Sequence, residues 1–284
     1  MKIVTTLSEL RAARAGLPEP VGFVPTMGYL HAGHLSLARR AKEECASVVD
    51  SIFVNPPQFG PSEDLSKYPR DLARDLSLLE SAGATLVWTP TPEVMYPSGF
   101  QTWIAVEELT KGLEGALRPG HFRGVTTVVA KLFNAVKPDK AYFGQKDAQQ
   151  AAVIRQMTKD LDFPIEIVVC PTVREADGLA MSSRNAYLNP DERKAARVLF
   201  RALSVAKSIY YKGECGADIL RRVMTQTINA EPLAKLQYVS CADYDTLQEL
   251  ETVAGKALLS MAVFIGKTRL IDNFVIGETV SSRE

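Results

Sequence analysis

The sequence has little of what marks a secreted, membrane-bound or nucleic-acid-binding chain. Its 284 residues hold only four cysteines, and Cys45, Cys170, Cys215 and Cys241 are widely spaced with no CxxC pair. That excludes the common zinc and dithiol frameworks, and a chain of this length does not need disulfide staples. The four read as reduced, mostly buried thiols. No stretch approaches the roughly 20 apolar residues of a membrane helix. The N-terminal MKIVTTLSELRAARAG meets polar residues by Thr5, too early for a signal-peptide core. A cytoplasmic protein without a membrane partner is expected. An excess of one charge is missing too, because 33 basic and 33 acidic side chains cancel. No positive surface for a polyanion follows, and nucleic acid is not an expected partner.

What is present is an apolar content of 46%, enough for a substantial core and, at this length, for two domains. Up to about residue 170, short apolar runs alternate with longer amphipathic segments, as when parallel strands are joined by crossover helices. Strands are expected at Val21 to Pro25, Val48 to Val54, Thr85 to Trp88, Lys140 to Phe143 and Ile165 to Cys170, all rich in residues suited to burial on both faces. Helices are expected at Leu35 to Cys45, Asp71 to Ser81, Val125 to Val136 and Ala148 to Leu161, with Leu72, Leu76 and Leu79 as the buried stripe of the second. After Asn185 come two helices, Asp191 to Tyr211 and Ala217 to Asn229. Strand-like runs follow at Leu236 to Cys241, Ala257 to Ile265 and Leu270 to Ile276. Grouped helices and strands suggest a smaller α+β domain. The boundary falls between Thr172 and Asn185, giving domains of residues 1–176 and 177–284.

Histidine is scarce, yet two of the three stand in one turn, TMGYLHAGHLSL, as His31 and His34. Two imidazoles one helical turn apart can be incidental. A zinc site is disfavoured, because no further Cys, His or HExxH-type Glu accompanies them, and no protein metal site is expected. The context is a strand ending near Pro25, a turn with Gly28 and Gly33, and a helix starting near His34. Such a turn aims backbone N–H groups and a positive helix end at an anion. The glycines allow close approach, and imidazoles can donate to phosphate oxygens as charge grows.

HAGH resembles the HxGH signature of the nucleotidylyltransferase superfamily. The further blocks FVNPPQF, YPRDL, EGALRPGHFRGV, AYFGQKDAQQ, MSSRNAYL and RLIDN occur in the order found in the pantothenate synthetase family, so the resemblance runs from Val21 to Asn273. It implies a Rossmann-like parallel sheet with helices on both faces and a smaller C-terminal α+β domain acting as a lid. It also implies a homodimer and a reaction that spends ATP to join pantoate to β-alanine. By the same resemblance, Met27, Gly28, Tyr29, Leu30, His31, Ala32, Gly33 and His34 line the ATP site, with His34 catalytic and His31 assisting.

The block Gly144, Gln145, Lys146 and Asp147 follows a strand at the carboxyl edge of a parallel sheet, where α/β ligand sites form. A lysine in such a turn is ordinarily just solvated, and an Asp there an N-cap. The resemblance makes Lys146 a catalytic phosphate ligand and places Asp147 in the ATP site. Met181, Ser182, Ser183 and Arg184 resemble the superfamily's second ATP loop, although SSR alone reads as a polar linker. Gln58 and Gln150 look like the amides that hold pantoate, and Gln58 also helps place β-alanine. Asn55 frames that pocket, while Pro56 and Pro57 stiffen its turn. Arg118, His121 and Arg123 form either a basic lip over phosphates or the solvated start of a helix.

The implied chemistry is attack of the pantoate carboxylate on the α-phosphorus of ATP, then attack of the β-alanine amine on the acyl-adenylate. Both steps need positioning and charge stabilisation rather than a covalent enzyme intermediate. Mg²⁺ is expected to arrive with ATP, since no DxD cluster is present. Two alternatives stand beside this reading. One is another HxGH nucleotidylyltransferase acting on a phosphate-bearing acceptor, disfavoured by Gln where Arg or Lys would serve. The other is a catalytically silent ATP-binding module.

Overall fold

A computed structural model describes residues 1–60, 63 and 65–277; residues 278–284 of the expected C-terminal domain lie outside the described residues. The chain divides into two compact units, Met1–Gln145 with Gln149–Val173, and Lys146–Ala148 with Arg174–Glu284.

The first unit runs β1 (Lys2–Val4), α1 (Leu7–Arg14), β2 (Val21–Thr26), α2 (Ala32–Glu44), β3 (Ser47–Ile52), α3 (Leu72–Ala82), β4 (Leu86–Trp88), α4 (Pro92–Met95), α5 (Leu113–Leu117), α6 (His121–Val136), β5 (Lys140–Gly144), α7 (Ala148–Asp160) and β6 (Glu166–Cys170). Its six strands form one sheet in the order β1-β4-β3-β2-β5-β6, and every pairing is parallel. Parallel strands must be covered on both faces. On one face Leu10 of α1, Phe133 of α6 and Ile154 of α7 pack with Phe23, Val49 and Leu86. On the other, Leu37 and Ala38 of α2 and Leu79 of α3 cover Val24, Val48 and Val87.

The chain winds from β2 through β3 towards one edge and returns at β5, so β2 and β5 are neighbours where the winding reverses. In open α/β sheets such a switch point opens a crevice at the carboxyl ends of the strands. His31 and His34 follow the end of β2, and Gly144 closes β5.

The second unit contains α8 (Pro190–Ala195), α9 (Val198–Tyr210), α10 (Ala217–Asn229), β7 (Ala234–Asp243), β8 (Ala257–Ile265) and β9 (Thr268–Ile276). Its three strands form an antiparallel sheet in the order β7-β8-β9. Leu199, Leu203, Leu220 and Met224 of α9 and α10 pack with Cys241, Leu259, Met261 and Val263 of the sheet.

The periodicity predicts one helix from Asp191 to Tyr211, but two are found. Ala196 and Arg197 close tight turns with ψ of −21° and −16°, nearer 3₁₀ than α geometry. The buried stripe of α3 also differs from the expected Leu72, Leu76 and Leu79. Leu72 is 48% exposed, whereas Asp75, Leu79 and Ala82 are buried, and Leu76 is only partly so. All four cysteines are free thiols, three of them buried and Cys215 intermediate. Among the described residues no helix is long and apolar enough to cross a membrane.

Candidate active site

At the end of β2 the Thr26 hydroxyl donates to the Ser51 carbonyl at 2.8 Å, tying the strand end to β3 before the chain turns. Gly28 and Tyr29 then both adopt positive φ, 86° and 48°, which costs Tyr29 about 1 kcal/mol or more. His31 is the N-cap of α2, so the helix begins at Ala32, two residues before the expected start near His34.

The two imidazoles take up the roles that Ser and Glu play in a capping box. The Gly33 N–H donates to Nδ1 of His31 at 3.1 Å, and the His31 N–H donates to Nδ1 of His34 at 3.4 Å. Their ring centroids lie 4.1 Å apart. With both Nδ1 atoms accepting, each neutral ring carries its proton on Nε2, so the pair is fixed in one tautomer with Nε2–H as donor.

The turn's backbone amides have another use than the one expected. Gly28 N–H donates to the Thr26 hydroxyl, Tyr29 and Leu30 N–H to Asp75, and those of His31 and Gly33 to the imidazoles. These amides are spent on building the turn.

A second cluster surrounds the FVNPPQF turn, where Pro56–Gln58 forms a single 3₁₀ turn. Asn55 is buried. Its Nδ2 donates to Gln58 Oε1 at 3.1 Å and to the Gly124 carbonyl at 3.1 Å, and its Oδ1 accepts from the Tyr96 hydroxyl at 2.7 Å. Gln58 Nε2 lies 2.8 Å from the Met27 sulfur. The Gln58 amide is therefore oriented at both ends before any ligand arrives. Gly124 of α6 packs so closely that a Cβ there would meet the Pro57 carbonyl oxygen at 2.6 Å and Gln58 N at 2.7 Å.

His121 is neither a basic lip nor a solvated helix start. It is 9% exposed, its Nδ1–H donates to the Gln58 carbonyl at 2.7 Å, and its Nε2 accepts from Arg118 at 3.0 Å. Burial first and then the Arg118 charge hold its pKa down at about 4. Arg118 in turn forks onto Glu63 at 2.6 and 2.7 Å, and Arg123 lies over the Trp103 ring at 4.7 Å. Of the paired glutamines, Gln149 is buried and structural, bonding to Glu114 N, Leu109 O and Gly112 O. Gln150 is half-buried.

Gln145–Asp147 form a 3₁₀ turn after β5. In the second unit the Lys146 carbonyl accepts from Asn273 Nδ2 at 2.8 Å, and its Nζ lies 3.7 Å from Asp147. Met181, Ser182, Ser183 and Arg184 are half-buried, and Ser182 caps the next turn by accepting from Arg184 N at 3.3 Å. That loop is braced from below. Arg174 pairs with Asp272 at 2.7 and 2.8 Å and donates to Gly178 O, while Arg193 joins Glu175 and Asp177. Asn185 bonds to Glu175 and to Ala180 O. Among the described residues no three His, Cys, Asp or Glu side chains converge to hold a metal ion.

Sequence reasoning missed Asp75, Tyr96 and Gln149. Nothing in their local pattern marks them, because their partners lie 45, 41 and 35 residues away.

The profile of the pantoate-beta-alanine ligase family matches residues 2–275. A pantothenate synthetase of Roseiflexus sp. (strain RS-1) is 62% identical over 97% of this chain and 99% of that protein. One of Herpetosiphon aurantiacus is 60% identical over 97% and 100%. The crystal structure of a Thermus thermophilus pantothenate synthetase superposes with a TM-score of 0.93 at 50% identity, covering 96% of this chain and 99% of that one. The Francisella tularensis pantoate-beta-alanine ligase, solved in complex with beta-gamma ATP and beta-alanine, gives a TM-score of 0.79 at 37% identity over 97% of each chain.

Proposed function

The chain belongs to the pantoate-beta-alanine ligase family, and from that premise we infer that it joins (R)-pantoate to β-alanine, spending ATP and releasing AMP and pyrophosphate. The observation that carries the reading is the imidazole pair at the end of β2, each ring fixed in its Nε2–H tautomer by a backbone N–H.

In the first step a pantoate carboxylate oxygen forms a bond to the α-phosphorus, and the bond to the β-phosphate oxygen breaks, releasing pyrophosphate. Charge grows on the phosphate oxygens, and prepositioned N–H donors stabilise it most when they need not reorganise. His34 takes that role, His31 assists, and Lys146 adds a full positive charge. Met27 to His34, Gly144 to Asp147 and Met181 to Arg184 are assigned to ATP. Mg²⁺ enters with the nucleotide, held by phosphate oxygens and water. In the second step the β-alanine amine attacks the acyl carbon and AMP leaves. Gln58 and Gln150 are assigned to pantoate, and Gln58 also to β-alanine, a role suited to an amide already held by Asn55. The same reading takes the protein to be a cytoplasmic homodimer.

The test follows AMP, ADP, pyrophosphate and pantothenate by mass spectrometry with ATP, Mg²⁺ and pantoate, with and without β-alanine. Pantothenate with stoichiometric AMP, dependent on both substrates, is expected. His34→Ala and Lys146→Ala should each slow adenylate formation by about 10²-fold or more while remaining folded. Near-normal turnover in a folded variant removes that residue from the mechanism.

A further inference from the structure

The turn that carries the imidazoles is shaped by a side chain from another helix. Asp75 of α3 is 1% exposed, a position where a carboxylate persists only if its charge is well satisfied. Its Oδ2 accepts the Tyr29 N–H at 2.6 Å and its Oδ1 accepts the Leu30 N–H at 2.7 Å. Arg74 adds its guanidinium 3.6 Å from Oδ1 and 5.5 Å from the centre of the Tyr29 ring.

These bonds act where the backbone is least willing to stay. Gly28 and Tyr29 sit in succession at positive φ, and a tyrosine holds that conformation only when its surroundings impose it. Two short, charge-assisted bonds to successive N–H groups do so. Gly28 also lies so near that a Cβ there would be 3.1 Å from Asp75 Oδ2. The residue after Leu30 is His31, whose N–H donates to Nδ1 of His34 and whose own Nδ1 accepts from the Gly33 N–H.

We propose that Asp75 is a positioning residue for adenylate formation, fixing His31 and His34 through the backbone of Tyr29 and Leu30 without touching substrate. The proposal rests on the reading that those imidazoles serve at the phosphate. Its physical basis is that displacing a catalytic group by about 1 Å costs on the order of 10²-fold in rate, and that a carboxylate held on a packed helix is a more rigid support than a loop side chain.

Asp75→Asn keeps the shape but replaces one acceptor oxygen with a donor, so one N–H loses its partner. Asp75→Glu keeps the charge on a longer stem. Leu79→Ala, one turn further along α3, is the control, because Leu79 is fully buried in the apolar cluster that also holds Leu30, so the change removes packing beneath the turn without removing a hydrogen bond from it. The readouts are pantoate-dependent ATP–pyrophosphate exchange, the melting temperature, and the imidazole resonances of the three histidines by NMR. Asp75→Asn should lower the exchange kcat about 10- to 100-fold, and Asp75→Glu less. Both should shift the His31 and His34 resonances and leave His121 in place. Leu79→Ala should lower the melting temperature yet keep kcat within about twofold. The proposal is overturned if whichever Asp75 variant folds exchanges at the wild-type rate, or if its loss is matched by Leu79→Ala at an equal fall in melting temperature. An active His34→Ala would sink the underlying reading instead, whereas an inactive His34→Ala beside a fully active Asp75→Asn would sink only the positioning role.

Discussion

Replacing Asp50 should remove one large pH-dependent contribution to the stability of the parallel-sheet unit. Asp50 lies in the middle of β3, its register neighbours are Val24 and Val87, and it has no exposed surface. Among the described residues neither carboxylate oxygen has a hydrogen-bond partner. Burial alone pushes its pKa from the ordinary 3.8 up to about 8. Between those values the folded state keeps a proton that the unfolded state has released. The stability from the neutral carboxyl is therefore complete below pH 3.8, declines as pH rises, and is gone above about pH 8. Each pH unit in that window is worth about 1.4 kcal/mol, so the contribution of Asp50 should fall by about 4 kcal/mol between about pH 5 and 8. Asp50→Asn cannot ionise and should lack this slope. Asp50→Val, with methyls beside two valines, should exceed the wild type at about pH 8. Urea unfolding followed by tryptophan fluorescence isolates the effect, because Trp88 and Trp103 are the chain's two tryptophans and both belong to the first unit. A wild-type-minus-Asn difference that stays constant within about 0.5 kcal/mol across that window would refute the reasoning.

Two further substitutions probe the supports of the assigned ligand groups. Gly124→Ala brings a methyl to 2.6 Å from Pro57 O and 2.7 Å from Gln58 N, so the Gln58 turn must give way. Pantoate KM should rise about tenfold or more with ATP KM little changed, and an unaltered pantoate KM would show that the turn yields harmlessly. Arg174→Lys gives up the two-pronged pair with Asp272 and the guanidinium contacts with Phe200 and Phe274 at 5.1 and 4.8 Å. An ammonium is a point charge without the planar fork and stacking face that both contacts use. The second unit should lose about 2–4 kcal/mol, because Asp272 is 2% exposed and left part-paired; an unchanged unfolding profile by circular dichroism speaks against it.

The elements legible in the sequence share a property: their signal is contained within their own length. Alternation of short apolar runs with amphipathic segments marks β2 through β6 because strands buried on both faces and helices with one wet face cannot look otherwise. Helix α10 and strand β8 have the expected bounds. The strand β1 gives no such signal because it is three residues long at the sheet edge, with Ile3 48% exposed. Leu72 and Asp75 exchange places, inside and out, because periodicity counts apolar residues and cannot register a carboxylate awaited by two backbone donors.

The same division runs through the candidate site. The HAGH turn is directly legible, since its caps span only three residues, and FVNPPQF announces a stiff turn bearing Gln58. What the sequence by itself determined was the alternation that makes a doubly covered parallel sheet, together with the inventory of donors at its strand ends. Tertiary structure alone decided that His121 is a buried prop for Gln58 rather than a solvated helix start, that Asp75 takes the Tyr29 and Leu30 amides, and that Gln149 is a brace. Each of those outcomes depends on a partner at least 35 residues distant. A long-range partner leaves no trace in local spacing, because it is the packing of α3, α6 and α7 on the sheet that brings the groups together.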